Sequence, residues 1–213
     1  MDTPLRRTFH QELDDINANV VQLFALVTES LAAATETFLA GDRDMAITIR
    51  RRDKVIDELN HDLEGVVERN LLLQAPVASE LRFLLSVLRI VPELERSGDL
   101  AEHIATRAVQ GIGSELTPAV RGMVERMGRL GVEMWRMAAD AYVERDGSAV
   151  ERIDALDDEL DDLHDSVVAE LCSGAVPVGV AVEMALVARF YERLGDHALH
   201  ITERVAYLAS GRR

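Results

Sequence analysis

The stretch Glu95-Arg96-Ser97-Gly98-Asp99-Leu100-Ala101-Glu102-His103-Ile104-Ala105-Thr106-Arg107 returns 97 residues later as Glu192-Arg193-Leu194-Gly195-Asp196-His197-Ala198-Leu199-His200-Ile201-Thr202-Glu203-Arg204. Glu, Arg, Gly, Asp, Ala, His, Ile and Arg recur in place. Self-similarity at a fixed offset marks a duplicated structural unit. Within each copy apolar residues recur at three- and four-residue spacing, the period of an amphipathic helix. A second match sets Asp53-Lys54-Val55-Ile56-Asp57-Glu58-Leu59 against Asp154-Ala155-Leu156-Asp157-Asp158-Glu159-Leu160, at an offset of 101. The two offsets differ by about one helical turn, which keeps each side chain on its face.

Outward from this repeat, the breaks between helices are well marked. Thr3-Pro4 supplies a cap followed by proline at the first helical position, and the first helix runs to about Ala40. Gly41-Asp42 closes it and caps the second, which reaches about Leu73. Gln74-Ala75-Pro76 opens a third helix that lasts to about Gln110 and stops at Gly111 and Gly113. Thr117-Pro118 repeats the opening chemistry for a fourth; Asp146-Gly147-Ser148 precedes a fifth, and Ser173-Gly174-Ala175-Val176-Pro177 leads into a sixth. The expected fold is all-α: two tandem three-helix bundles related by duplication, residues 1–112 and 113–213.

Composition agrees and narrows the function. Of 213 residues, 48% are apolar, 29% charged and only 4% aromatic, which suits a globular helical protein. Lys and Arg number 23 against 38 Asp and Glu, a net charge of −15, which disfavours nucleic acid and favours cations or basic protein surfaces as partners. No signal-peptide pattern follows Met1, the most apolar run is Val176 to Leu186, and the single Cys172 reads as a small buried residue in a reducing compartment. A cytoplasmic location is expected.

The chemistry concentrates in carboxylates. Glu95 and Asp99 lie four apart, as do Glu192 and Asp196, so each pair projects from one helix face beside the apolar stripe. Like charges at this spacing destabilise a helix by about 0.2–0.5 kcal/mol unless neutralised. Hard oxygen donors of this kind suit Mg, Ca, Mn or Fe. Asp53/Asp57 and Asp154/Asp158 offer a second pair from the neighbouring helix of each bundle. Gly98 and Gly195, each costing about 0.5–1 kcal/mol relative to alanine inside a helix, fall next to the apolar stripe, as close helix packing requires. His61, His164 and His197 read as surface residues; Leu71-Leu72-Leu73 and Val176–Val182 read as ordinary core, with an interface as the alternative.

Gln74-Ala75-Pro76-Val77-Ala78-Ser79-Glu80-Leu81-Arg82, followed by Glu93-Leu94-Glu95-Arg96-Ser97-Gly98-Asp99, resembles the first-repeat pattern of PhoU proteins, the phosphate-transport accessory regulators. Phe190-Tyr191-Glu192-Arg193-Leu194-Gly195-Asp196-His197-Ala198 resembles their second, and Phe9-His10-Gln11-Glu12-Leu13 extends the likeness toward the start. The resemblance implies negative regulation of phosphate uptake through contacts with the phosphate ABC transporter's ATPase subunit and a sensor histidine kinase. It further implies a homodimer, membrane association only through the transporter, and metal (Fe, Mn, Zn or Mg) at Glu95, Asp99, Glu192 and Asp196, with Asp53, Asp57, Asp154 and Asp158 matching the weaker second-helix motif. Two features depart from the family pattern: Pro92 inside the third helix, and His103 and His200 where asparagine is usual, each a candidate nitrogen ligand.

No phosphate-binding glycine loop and no nucleophile beside a base occurs, so the chain is read as non-enzymatic. A metal-free helical adaptor is the alternative. A carboxylate-bridged di-metal enzyme is a weaker one, because Glu58-Leu59-Asn60-His61 meets Glu159-Leu160-Asp161-Asp162 in the second copy, without the histidine.

Overall fold

The computed structural model describes residues 4–211, and the Thr3 cap expected from the sequence lies outside them. Six long helices follow in order: α1 (Pro4–Ala40), α2 (Arg43–Gln74), α3 (Ala78–Thr106), α4 (Pro118–Glu144), α5 (Ala149–Cys172) and α6 (Val178–Ser210). No strand occurs among the described residues. The expected caps form at two of the starts. Asp42 accepts from the backbone N–H groups of Asp44 and Met45 at 3.1 and 3.0 Å, and Thr117 accepts from Val120 at 3.2 Å.

Two boundaries differ from expectation. α3 begins at Ala78, because Ala75 and Ala78 both take left-handed backbone angles (φ 45° and 49°) around Pro76. Its end tightens into 3-10 turns at Arg107–Gln110 and Ile112–Glu115, separated by Gly111 at φ 73°. Pro92 sits inside an unbroken α3.

Within each repeat the three helices pack pairwise. Across the repeats α1 lies against α4 and α3 against α6, while α2 and α5 form the outer flanks. The inner layer is one continuous core. Phe24 of α1 meets the rings of Trp135 (centroids 6.2 Å) and Tyr142 (5.4 Å) on α4. Trp135 donates its indole N–H to the Leu194 carbonyl of α6 at 3.1 Å. The buried Thr35 and Tyr191 hydroxyls share a hydrogen bond of 2.8 Å between α1 and α6. Arg121 of α4 donates to the carbonyls of Leu39 (2.9 Å) and Gly113 (3.1 Å), tying the end of α1 to the junction. The halves thus depend on each other for burial.

The most apolar 18-residue window of α1 has a mean hydropathy of 1.3 and the helix is long enough to cross a membrane, yet half of that window is buried inside the fold. That is the pattern of a core helix.

Trp135→Ala removes a fully buried side chain that touches both repeats. Urea unfolding followed by circular dichroism should show a loss of about 3–5 kcal/mol. The variant should still unfold in one transition, since neither repeat keeps its inner face covered without the other.

Candidate functional site

On α2 the residues Ile49, Ile56, Leu63 and Val67 form a buried row. That row turns Asp53 and Asp57 toward the neighbouring helix α3, where Glu95 and Asp99 lie four apart. One carboxylate oxygen each from Asp53, Asp57 and Asp99 falls within 4.8 Å of the others. Gly98 makes this approach possible: a Cβ there would stand 3.0 Å from Ile56 Cδ1 and 3.2 Å from Asp53 Oδ1. The close packing expected of this glycine is found, and the group it admits is a carboxylate.

The seam is electrostatically strained. Asp53 is pushed up to about 7, first by burial and then by the charges of Asp57, Asp99, Glu102 and Glu95. Burial and the neighbouring Asp99 and Asp57 raise Glu95; burial and Asp57 raise Asp99, against which His103 acts in the opposite direction. Asp53 Oδ1 is buried and accepts no hydrogen bond. A buried acceptor without a partner costs about 1–3 kcal/mol, and more when it is charged.

The second seam, between α5 and α6, repeats the design in a different register from the one expected. Gly195 faces the Asp157 carboxylate and Leu160, as Gly98 faces Asp53 and Ile56. Asp53 is therefore matched by Asp157 and Asp57 by Asp161, at an offset of 104. The buried row agrees: Ile153, Leu160, Val167 and Leu171 stand where Ile49, Ile56, Leu63 and Val67 do. The offset of 101 equates buried Ile56 with half-buried Asp157, which no shared core permits. Asp154 and Asp158 are consequently exposed, and Asp154 acts on Asp157 only as the weakest of its charged neighbours.

Asp157 and Asp161 were thus the members of this seam that the sequence alignment missed, and the buried row was the signal that identifies them. Asp157 is raised to about 7 by burial, then by Asp196, Asp161 and Glu192. Burial and Asp196 raise Asp161. Glu192 is raised by burial, against the Arg189 guanidinium that donates to its Oε1; its Oε2, like Asp157 Oδ1, is buried without a partner.

Other expectations are corrected by packing. His197 is buried at the α3–α6 contact; its Nδ1 lies 2.9 Å from Ser97 Oγ, and burial holds its pKa down to about 4. Cys172 is exposed at the end of α5. Leu72, Leu73, Val178 and Val182 are exposed, whereas Val176 and Val180 are buried. His103 is exposed with its ring 5.6 Å from that of Phe190, and His200 is exposed too. Glu58 and His61 are also exposed, outside the carboxylate cluster.

The first seam gathers three carboxylates within reach of one ion, both seams carry an orphaned buried carboxylate oxygen at the equivalent position, and hard oxygen donors of this kind fit a hard divalent or trivalent cation. These features define a class: a tandem-repeat helical protein with one acidic seam per repeat.

A family model described as the PhoU domain matches residues 20–108 and again 124–205. The chain is 31% identical to the phosphate-specific transport system accessory protein PhoU homolog 2 of Mycobacterium tuberculosis, over 97% of this chain and 99% of that protein. It is 30% identical to PhoU homolog 1 of Mycobacterium leprae, over 97% and 95%. The crystal structure of PhoU from Pseudomonas aeruginosa superposes with a TM-score of 0.89 at 27% identity, covering 96% of this chain and all of that one. The chain belongs to the PhoU family.

Two predictions follow from the seams. Asp53 and Asp157 titrate near pH 7 when folded and near 3.8 otherwise, so the folded state binds the extra protons. Their contribution is full below pH 3.8 and is lost as pH rises through 7. Metal-free protein should accordingly melt at a higher temperature at pH 6 than at pH 8, and Asp53→Asn with Asp157→Asn should shrink that difference. The second concerns Gly195→Ala, whose Cβ would overlap the Asp157 carboxylate and lie 2.8 Å from Leu160 Cδ2. It should destabilise by about 1–3 kcal/mol in denaturant titrations, whereas Gly122→Ala, with open space around it, should stabilise by about 0.5–1 kcal/mol.

Proposed function

We propose that this chain is a cytoplasmic, non-enzymatic negative regulator of phosphate uptake and phosphate-starvation signalling. It acts by contact with the ATPase subunit of the phosphate ABC transporter and with a sensor histidine kinase, as a homodimer. The observation that carries this reading is the likeness, over nearly the whole length of both chains, to proteins named as accessories of the phosphate-specific transport system. The net charge of −15 supports binding to basic protein surfaces.

In this reading Asp53, Asp57, Glu95 and Asp99 hold metal in the first repeat, and Asp157, Asp161, Glu192 and Asp196 hold it in the second. The cation is Fe, Mn, Zn or Mg, and it supplies the countercharge that these seams lack. Support comes from the same crowded carboxylates at equivalent places in both copies and from the orphaned oxygens of Asp53 and Asp157. The metal's role is to fix the outer helices against the inner ones, so that the surface offered to a partner has one shape.

The test is capture of the untagged protein from cells grown in high and low phosphate, with metal and bound proteins quantified together. Transporter ATPase and kinase should co-purify, with near-stoichiometric or higher metal in the recovered protein. Asp99→Asn plus Asp196→Asn should lose most of the metal. Partner binding by a protein that carries no metal would instead favour a metal-free adaptor, and failure to recover either partner would overturn the regulatory reading.

A further inference from the structure

The seam between α3 and α6 is antiparallel. One end sets Asp99, His103 and Arg107 against Phe190 and Arg193; the other sets Arg89 and Arg96 against His200 and Arg204. Arg96 and Arg193 are equivalent in the repeat, and they meet at the middle of this seam, where both border one cavity of about 290 Å³. In a chain of net charge −15, three guanidinium groups and an imidazole lining a single small cavity run against the composition.

These groups differ in how they are held. Arg107 is largely buried: its Nε donates to Glu183 at 2.9 Å, its Nη1 donates to the His103 carbonyl at 2.7 Å, and its guanidinium lies 4.8 Å from the Phe190 ring centroid, so its orientation is set in advance and its Nη2 is the nitrogen left for an anion. Arg96 is half-exposed, its Nε donating to the Pro92 carbonyl at 3.1 Å and its Nη2 to Glu93 at 2.8 Å. Arg193 is exposed and makes no hydrogen bond or ion pair with any described residue. One fixed guanidinium, one shared and one uncommitted border the same cavity beside an imidazole. Guanidinium forks match the oxygen geometry of tetrahedral oxyanions, and the cavity is too small for a bulky cofactor.

We infer that this cavity is a binding site for a small tetrahedral oxyanion, with Arg193, Arg96, Arg107 and His103 as its donors; that the ion is free inorganic phosphate rests on the proposed role in phosphate regulation. The site is separate from the carboxylate seam but touches it through Asp99, whose negative charge opposes the anion. Neutralising Asp99 therefore strengthens anion binding, whether a cation or a substitution does it, and the inference stands without any metal.

The experiment is a calorimetric titration of the metal-free full-length protein with inorganic phosphate, ionic strength held constant with chloride. Wild type should bind one phosphate saturably, and Asp99→Asn should bind it several-fold more tightly. In the Asp99→Asn background, Arg193→Gln should weaken binding tenfold or more. Arg126→Gln, which removes a remote surface pair with Glu159, should change nothing. No saturable binding by the Asp99→Asn protein would overturn the inference, as would equal binding after Arg193→Gln or equal loss after Arg126→Gln. A phosphoserine monoester binding more tightly than free phosphate would overturn the assignment to the free ion.

Discussion

The structure depends on an apolar row that forces like charges together. Ile49, Ile56, Leu63 and Val67 on α2, and their counterparts on α5, are fully or almost fully buried. Burying each such side chain is worth about 1.5–3 kcal/mol, against a few tenths for a like-charged pair on an exposed helix. The core wins, and the acidic residues three before and one after Ile56 and Leu160 are carried into the seam whether or not they repel. What results is a pair of carboxylate groups whose crowding is fixed by distant packing, so the site exists before any cation arrives. This order of causes explains why Gly98 and Gly195 sit opposite a carboxylate: they set how near the outer helix comes.

Much of this was legible in the sequence, and the failures have physical causes. The helix count, the duplication and the inner-helix pairs Glu95/Asp99 and Glu192/Asp196 follow from periodicity and the repeated glycine. The α5 register did not. That helix carries Asp154, Asp157, Asp158, Asp161, Asp162 and Asp165, so many pairings satisfy a four-residue spacing and identity alone selects among them badly. Burial decides, because only one offset places Leu160 under the same core as Ile56. His197 was misjudged for a related reason. A single-repeat helical wheel shows one buried face, whereas α6 has a second one against α3 that appears only when the two repeats are joined.

The join itself is asymmetric in detail although built from equivalent helices. Phe190 of α6 stands at the position of Glu93 in α3, so one end of the seam stacks Arg107 and His103 on an aromatic ring while the other pairs Arg96 with a carboxylate. Duplication has kept the acidic seams alike and let the central seam diverge. The parts that hold charge in common are thus the outer ones, and the parts that tell the two halves apart lie between them.

The placement of Phe24 and Thr35 has a consequence for biosynthesis. Both belong to α1, yet their partners Trp135, Tyr142 and Tyr191 are translated more than a hundred residues later. A nascent chain emerging from the ribosome therefore carries a completed first helical triplet with one greasy flank still bare. Closure waits for the second half of the message to be read.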